Sequence, residues 1–238
     1  MPPPDPLDNV DWYDLDSRLT DLGYDYHVFL SFARTGRARE NMEAAELFKE
    51  ALELELKDFV PPRVFLDTDL EPGERWPQEL IKKLCRSACL AAVCVPIYFS
   101  PQKEWCAIEW ASMEALGAHR LPGYDYRTII PMLCRNDPPL PRVFAAPDGI
   151  QYEDFSGNGT ARPLARTLKT NDGRARITRV VRRVKRIAFD LVAAGKACSP
   201  ADFVPPNISP FAREPERPVK RAEYSGYGPS TTPPGGDT

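Results

Sequence analysis

Trp105 and Glu109 stand four residues apart in the segment Tyr98-Phe-Ser-Pro-Gln-Lys-Glu-Trp-Cys-Ala-Ile-Glu-Trp110. The stretch Glu104 to Leu116 predicts a helix, with Gly117 as its C-cap. On a helix, residues i and i+4 share a face. An aromatic plane beside a lone carboxylate suits a ring-bearing, cation-forming substrate. The same spacing also fits a Trp105 packed on the core and a Glu109 on a solvated face, and spacing alone leaves both open.

Other chemistries lack their residues. Gly157-Asn-Gly-Thr-Ala-Arg162 fails the last position of a dinucleotide-binding GxGxxG. There is no GxxxxGK[ST], GxSxG or HExxH, and Gly195-Lys196 ends a helix. The 2 histidines are His27, inside a strand pattern, and His119, near a helix end, and both read as structural or surface groups. The 6 cysteines (Cys85, Cys89, Cys94, Cys106, Cys134, Cys198) form no CxxC pair. They read as reduced, buried thiols, with a disulfide or zinc framework as the weaker alternative.

Composition sets the frame for these residues. The chain has 238 residues, 42% hydrophobic and 27% charged, which is ordinary for a globular protein. Lys+Arg is 31 against Asp+Glu 34, a net charge of -3, which argues against a whole-chain polyanion binder. The longest apolar run, Cys89 to Val95, is far short of the ~20 residues needed to span a bilayer. The Pro-rich start has neither the basic nor the apolar region of a secretory signal. Together these predict a cytoplasmic protein.

Three zones are expected. Residues 1–23 form an acidic extension whose Trp12, Tyr13, Leu15 and Leu19 suit a short docking helix. Residues 24–196 alternate strand and helix patterns. Residues 197–238 carry 9 of the 26 prolines and read as a disordered tail. In the middle zone, strands are expected at Tyr26–Phe32, Arg63–Asp67, Cys89–Val95, Thr128–Leu133 and Gly149–Phe155. Helices are expected at Glu40–Lys57, Trp76–Ser87, Glu104–Leu116 and Arg174–Ala194. Continuous apolar strands alternating with helices imply an open parallel α/β sheet covered on both faces. Ligands of such sheets bind at the carboxyl ends of the strands, here the residues after Phe32, Asp67, Val95 and Leu133.

Four pieces then fall in order. These are Tyr26-His-Val-Phe-Leu-Ser-Phe32, Val64-Phe-Leu-Asp67 with Leu70-Glu-Pro-Gly73, Tyr98-Phe-Ser100, and Trp105-Cys106 with Glu109. The set resembles a TIR (Toll/interleukin-1 receptor) domain, of the bacterial and plant NAD-cleaving type. The resemblance implies a flavodoxin-like sheet of five parallel strands. It implies cleavage of the nicotinamide–ribose bond of NAD+, with NAD+ as substrate, no cofactor and no metal. The catalytic carboxylate falls on Glu109. Substrate-binding positions fall on Phe32, Ala33, Arg34, Glu71, Trp76, Ser100 and Trp105. Some relatives carry an arginine directly after the first-strand aromatic; here that place is Ala33, with Arg34 one later. The loop Asp67 to Arg75 matches the BB loop, which the family uses for self-association and for gating the site. The implied setting is bacterial immune or abortive-infection signalling, with a possible separate sensor protein and no membrane or nucleic acid as partner.

Two alternatives stand beside the NAD+ glycohydrolase. One is a non-catalytic scaffold working through TIR–TIR contacts. The other is an enzyme that cleaves nucleosides or cyclises nucleotides, with a different substrate. The last helix carries Arg174, Arg176, Arg179, Arg182, Arg183, Lys185 and Arg186. It reads as a docking face for nucleic acid or a partner, or as a solvated face balanced by the acidic N-terminal zone.

Overall fold

A computed structural model describes residues 7, 10–34, 38–69, 76–100, 103–124, 128–134, 151–156, 164–199, 203 and 205. The core is a 5-stranded sheet of β1 (Tyr26–Phe32), β2 (Val64–Leu66), β3 (Ser87–Cys94), β4 (Ile129–Leu133) and β5 (Glu153–Asp154). Its order is β2-β1-β3-β4-β5 and every pair is parallel, the flavodoxin-like arrangement. The chain therefore reverses direction across the sheet between β1 and β3.

Successive side chains of a strand point to opposite faces, and both faces here are buried. Val28, Leu30 and Phe32 of β1 join Cys89, Ala91 and Val93 of β3 in one apolar cluster. Phe29 and Ala33 join Leu90, Ala92 and Cys94 in the other. The first cluster is covered by α1 (Trp12–Asp21), α2 (Ala38–Leu56) and α6 (Asn171–Ala194), with the short α5 (Leu164–Leu168) beside them. The second is covered by α3 (Trp76–Cys85) and α4 (Glu104–Arg120). Burial on both faces is why these strands read as continuous apolar runs. Pro131 of β4 is tolerated because β5 pairs only Met132 and Leu133, leaving Pro131 where no ladder donor is needed on that side.

Several boundaries differ from the sequence expectation. The third helix ends at Cys85 rather than Ser87, and Ser87 opens β3 opposite Tyr26. The fourth helix runs through Gly117 to Arg120, with Leu121 as its C-cap. Gly117 is not a cap: a Cβ there would meet Thr128 Oγ1 at 2.4 Å, so the glycine lets α4 approach the start of β4. The last helix starts at Asn171, where the Thr170 side chain accepts from Gly173 N–H. Gly195 does cap it, at φ +60°. Among the described residues the fifth strand is only Glu153–Asp154.

The N-terminal helix is built into the domain. Leu15 and Leu19 are core residues, and Lys185 of α6 lies 4.3 Å over the Trp12 ring. Tyr13, expected to help the docking, is exposed instead. Asp11 caps the helix by accepting from Tyr13 and Asp14 N–H. Asp16 accepts from His27 Nε2 at 2.7 Å and pairs with Arg63, while Arg63 N–H donates to His27 Nδ1 at 3.3 Å. Both ring nitrogens of His27 are thus spent on structure.

The basic face of α6 is largely paired within the chain. Arg179 forks onto Glu153 at 2.9 and 2.7 Å, and Arg176 holds Asp172 and the backbone of Asp154. Among the described residues, an acidic partner from outside the helix is Glu153 of β5. All 6 cysteines are free thiols. Among the described residues no helix is long and apolar enough to cross a membrane, and no cluster of His, Cys, Asp and Glu could hold a metal ion.

Candidate active site

The candidate site lies at the carboxyl ends of β1 and β3, beside the point where strand order switches. This is where open α/β sheets bind ligands, because the loops leaving neighbouring strands diverge there. Ser31 is the sixth residue of β1, and the pleat turns it to the α4 side together with Phe29 and Ala33. The chain leaving β3 passes through the 3₁₀ turn Pro96–Phe99 into α4. That turn buries Tyr98 between the sheet and Trp110, and α4 then places Glu109 over Ser31.

The result is a buried relay. Tyr98 O–H lies 2.7 Å from Ser31 Oγ, and Ser31 O–H donates to Glu109 Oε2. Glu109 is only 5% exposed. Burial pushes its carboxyl up to about 8. The Ser31 hydrogen bond pulls it down, the nearby Asp67 charge pushes it up, and Arg34 pulls it down again, without offsetting the burial. The alternative of a Glu109 on a solvated face is thereby overturned.

The neighbouring strand ends are tied across the site. Arg34 Nε donates to Asp67 Oδ2, which links the exit of β1 to that of β2. Asn41 of α2 donates to Ala33 O at 2.9 Å and fixes the turn out of β1. Trp105 packs partly against the α3/α4 core one turn before Glu109. Phe32 is 6% exposed and gives its ring to the opposite core cluster, so it presents no open face here. Ala33 is buried in the α3/α4 cluster. Arg34 is half-exposed beside Asp67. Ser100 sits at the mouth of the turn, its N–H donating to Ile97 O at 3.1 Å. Trp76 begins α3, with its side chain outside the described residues. Glu71, and the BB-like loop beyond Asp69, lie outside the described residues.

The fold therefore gathers Ser31, Tyr98, Glu109, Arg34 and Asp67. Sequence reasoning assigned roles to Glu109 and Arg34 but none to Ser31, Tyr98 or Asn41. The signal for Ser31 was present, since it is the polar residue in an otherwise apolar strand interior. Such a group must find a partner when buried, and that partner lies 78 residues further along the chain.

A family model described as TIR domain matches residues 28–168, well over half of the chain. The chain belongs to the TIR domain family. No curated protein and no solved structure matches it. The matched stretch opens in β1 and closes at the end of α5, so this TIR domain holds every strand and the whole candidate site. It excludes α1 and α6, although both pack on the same core.

Proposed function

We propose that this TIR protein is an NAD+ glycohydrolase with Glu109 as its catalytic carboxylate. The observation that carries the reading is the placement of Glu109. It is held by Ser31 at the switch point of the sheet, one helical turn from Trp105. In the reaction the bond between nicotinamide nitrogen and ribose C1′ breaks, and nicotinamide leaves as a neutral molecule with the bonding pair. No strong general acid is needed. The ribose passes through an oxocarbenium-like state, as in glycoside hydrolysis. A carboxylate in a water-poor site stabilises that developing charge far better than water does. Water adding at C1′ and losing a proton gives ADP-ribose; an internal nucleophile of the same molecule gives a cyclic product.

In the described form the carboxyl is covered, so substrate entry requires the strand ends around Arg34 and Asp67 to part. Self-association through the loop 67–75 supplies the energy for that opening. The protein then acts in the cytoplasm, in immune or abortive-infection signalling, switched on by assembly or by a separate sensor protein. The burial of Glu109 also favours a second reading, a TIR–TIR scaffold whose glutamate serves only the fold. Nicotinamide release from NAD+ by concentrated purified protein, beside Glu109→Gln, separates them. Release by the wild type alone supports the glycohydrolase. Equal release by both proteins removes Glu109 from the chemistry. No release under conditions where the protein demonstrably assembles favours the scaffold.

A further inference from the structure

Away from the site, the end of α3 meets the segment that leaves α6 at two thiols. Cys85 Sγ and Cys198 Sγ are 3.9 Å apart. The approach is anchored by two hydrogen bonds to the backbone at and just before Cys198. Its N–H donates to Leu22 O at 2.8 Å, and Lys196 O accepts from Tyr24 O–H at 3.0 Å. The Cys198 thiol donates to Cys85 O at 3.1 Å. Gly23, at φ +90°, makes the turn that lets the chain before β1 pass against Cys198.

Arg120 supplies a charge to this cluster. It is 2% exposed, donates through Nη1 to Ser87 O at 3.1 Å and through Nη2 to Cys85 O, and lies 3.6 Å from Cys85 Sγ. Its guanidinium carbon sits 5.0 Å from the centre of the Tyr24 ring. A buried guanidinium needs a countercharge, and among the described residues its charge acts on the Tyr24 phenol and on the Cys85 and Cys198 thiols. Burial pushes the phenol up to about 12, so it stays neutral. Hydrogen bonding from Cys198 and the Arg120 charge pull Cys85 down to about 7, against burial, while Cys198 is pushed up. By contrast burial pushes Cys89 and Cys106 up, and the charges of Arg183 and Lys103 near them do not offset it.

We propose that Cys85 and Cys198 form an oxidative modification site, at which a hydroperoxide converts the two thiols into a disulfide joining α3 to the segment after α6. The Cys85 thiolate attacks a peroxide oxygen; the S–O bond forms, the O–O bond breaks, and hydroxide leaves and takes up a proton as water. Cys198 sulfur then attacks Cys85 sulfur; the S–S bond forms, the S–O bond breaks, and the hydroxyl departs with the Cys198 proton as a second water. Two thiols and one hydrogen peroxide give one disulfide and two waters. Half-buried Cys198 is the side from which the oxidant reaches the pair.

The test uses the full chain, reduced, desalted, treated with hydrogen peroxide, then denatured and alkylated. The expected result is loss of two hydrogens and of two of the 6 alkylatable thiols. The tryptic peptide Leu84–Arg86 should be linked to Ala197–Arg213, and dithiothreitol should release it. Cys198→Ser, with unchanged circular dichroism, should give a dimedone adduct on Cys85. Retention of all alkylatable thiols, or a disulfide through another pair, overturns the proposal. A dimedone adduct that forms faster on Cys198 in Cys85→Ser than on Cys85 in Cys198→Ser overturns the assignment of the attacking thiolate.

Discussion

Ser31 is the one polar side chain in the run Val28 to Phe32, and it is buried. Its cost is offset because it donates to Glu109 and pairs with Tyr98 at 2.7 Å. Glu109 titrates upward, to about 8, so the folded state holds its proton over a range where the unfolded state, near 4.5, has lost it. Stability from this group therefore falls as pH rises between those values. Glu109→Gln is expected to remove that loss, which is on the order of a few kcal/mol. Urea melts of both proteins at acid and at mildly alkaline pH check it: parallel curves would mean Glu109 is not proton-loaded. If the ionised carboxylate is the catalytic form, kcat/KM for NAD+ rises with pH through about 8. Ser31→Ala removes a donor to the carboxylate and is expected to move that limb to higher pH, which a pH–rate profile reads directly.

At the scale of elements, close approach decides what each helix tolerates. Gly117→Ala improves intrinsic helix propensity by about 1 kcal/mol. Yet the new methyl would meet Thr128, a buried residue whose Oγ1 already donates to Met113 O at 3.1 Å. A net loss of about 1–3 kcal/mol is expected from overpacking, read as a lower urea midpoint; a rise would show that α4 can shift away from β4. The α1 anchor is electrostatic as well as apolar. Burial pushes the Asp16 carboxyl up, but the His27 hydrogen bond and charge, with Arg63, bring it below its usual value. Its stabilisation is present above the unfolded value near 3.8 and is lost as pH falls through the lower folded value. Asp16→Asn is expected to cost about 1–3 kcal/mol. That difference should shrink in acid, and thermal melts against pH would reveal a difference that stays constant.

The whole molecule presents a covered carboxylate on a fold whose family self-associates. The proposed reading therefore predicts that nicotinamide release per milligram rises with protein concentration, in step with the oligomer fraction seen by light scattering. Constant specific activity across assembled and monomeric samples would remove assembly as the switch. Glu109→Gln should assemble as the wild type does, since Glu109 is buried and not a surface contact.

The amino-acid sequence by itself determined the elements and their order. Period-2 and period-3.6 apolar patterns depend on neighbours a few residues apart, so β1, α2, β3 and the last helix were legible, as was the shared face of Trp105 and Glu109. At Ser87 and Gly117 the boundary moved because a residue distant in the chain outweighed the local pattern, through Tyr26 pairing and Thr128 contact; at Asn171 it moved because of a local signal, the Thr170 cap. Only the tertiary structure decided which polar groups meet. Ser31 and Tyr98 are 67 residues apart, and Cys85 and Cys198 are 113 apart. Their contacts follow from strand order β2-β1-β3, and from the segment after α6, which brings Cys198 against Cys85 at the end of α3. No local preference encodes those distances. They are fixed when both faces of the sheet are buried at once, because that burial selects a single arrangement of the helices and holds the few buried polar groups where they can satisfy one another.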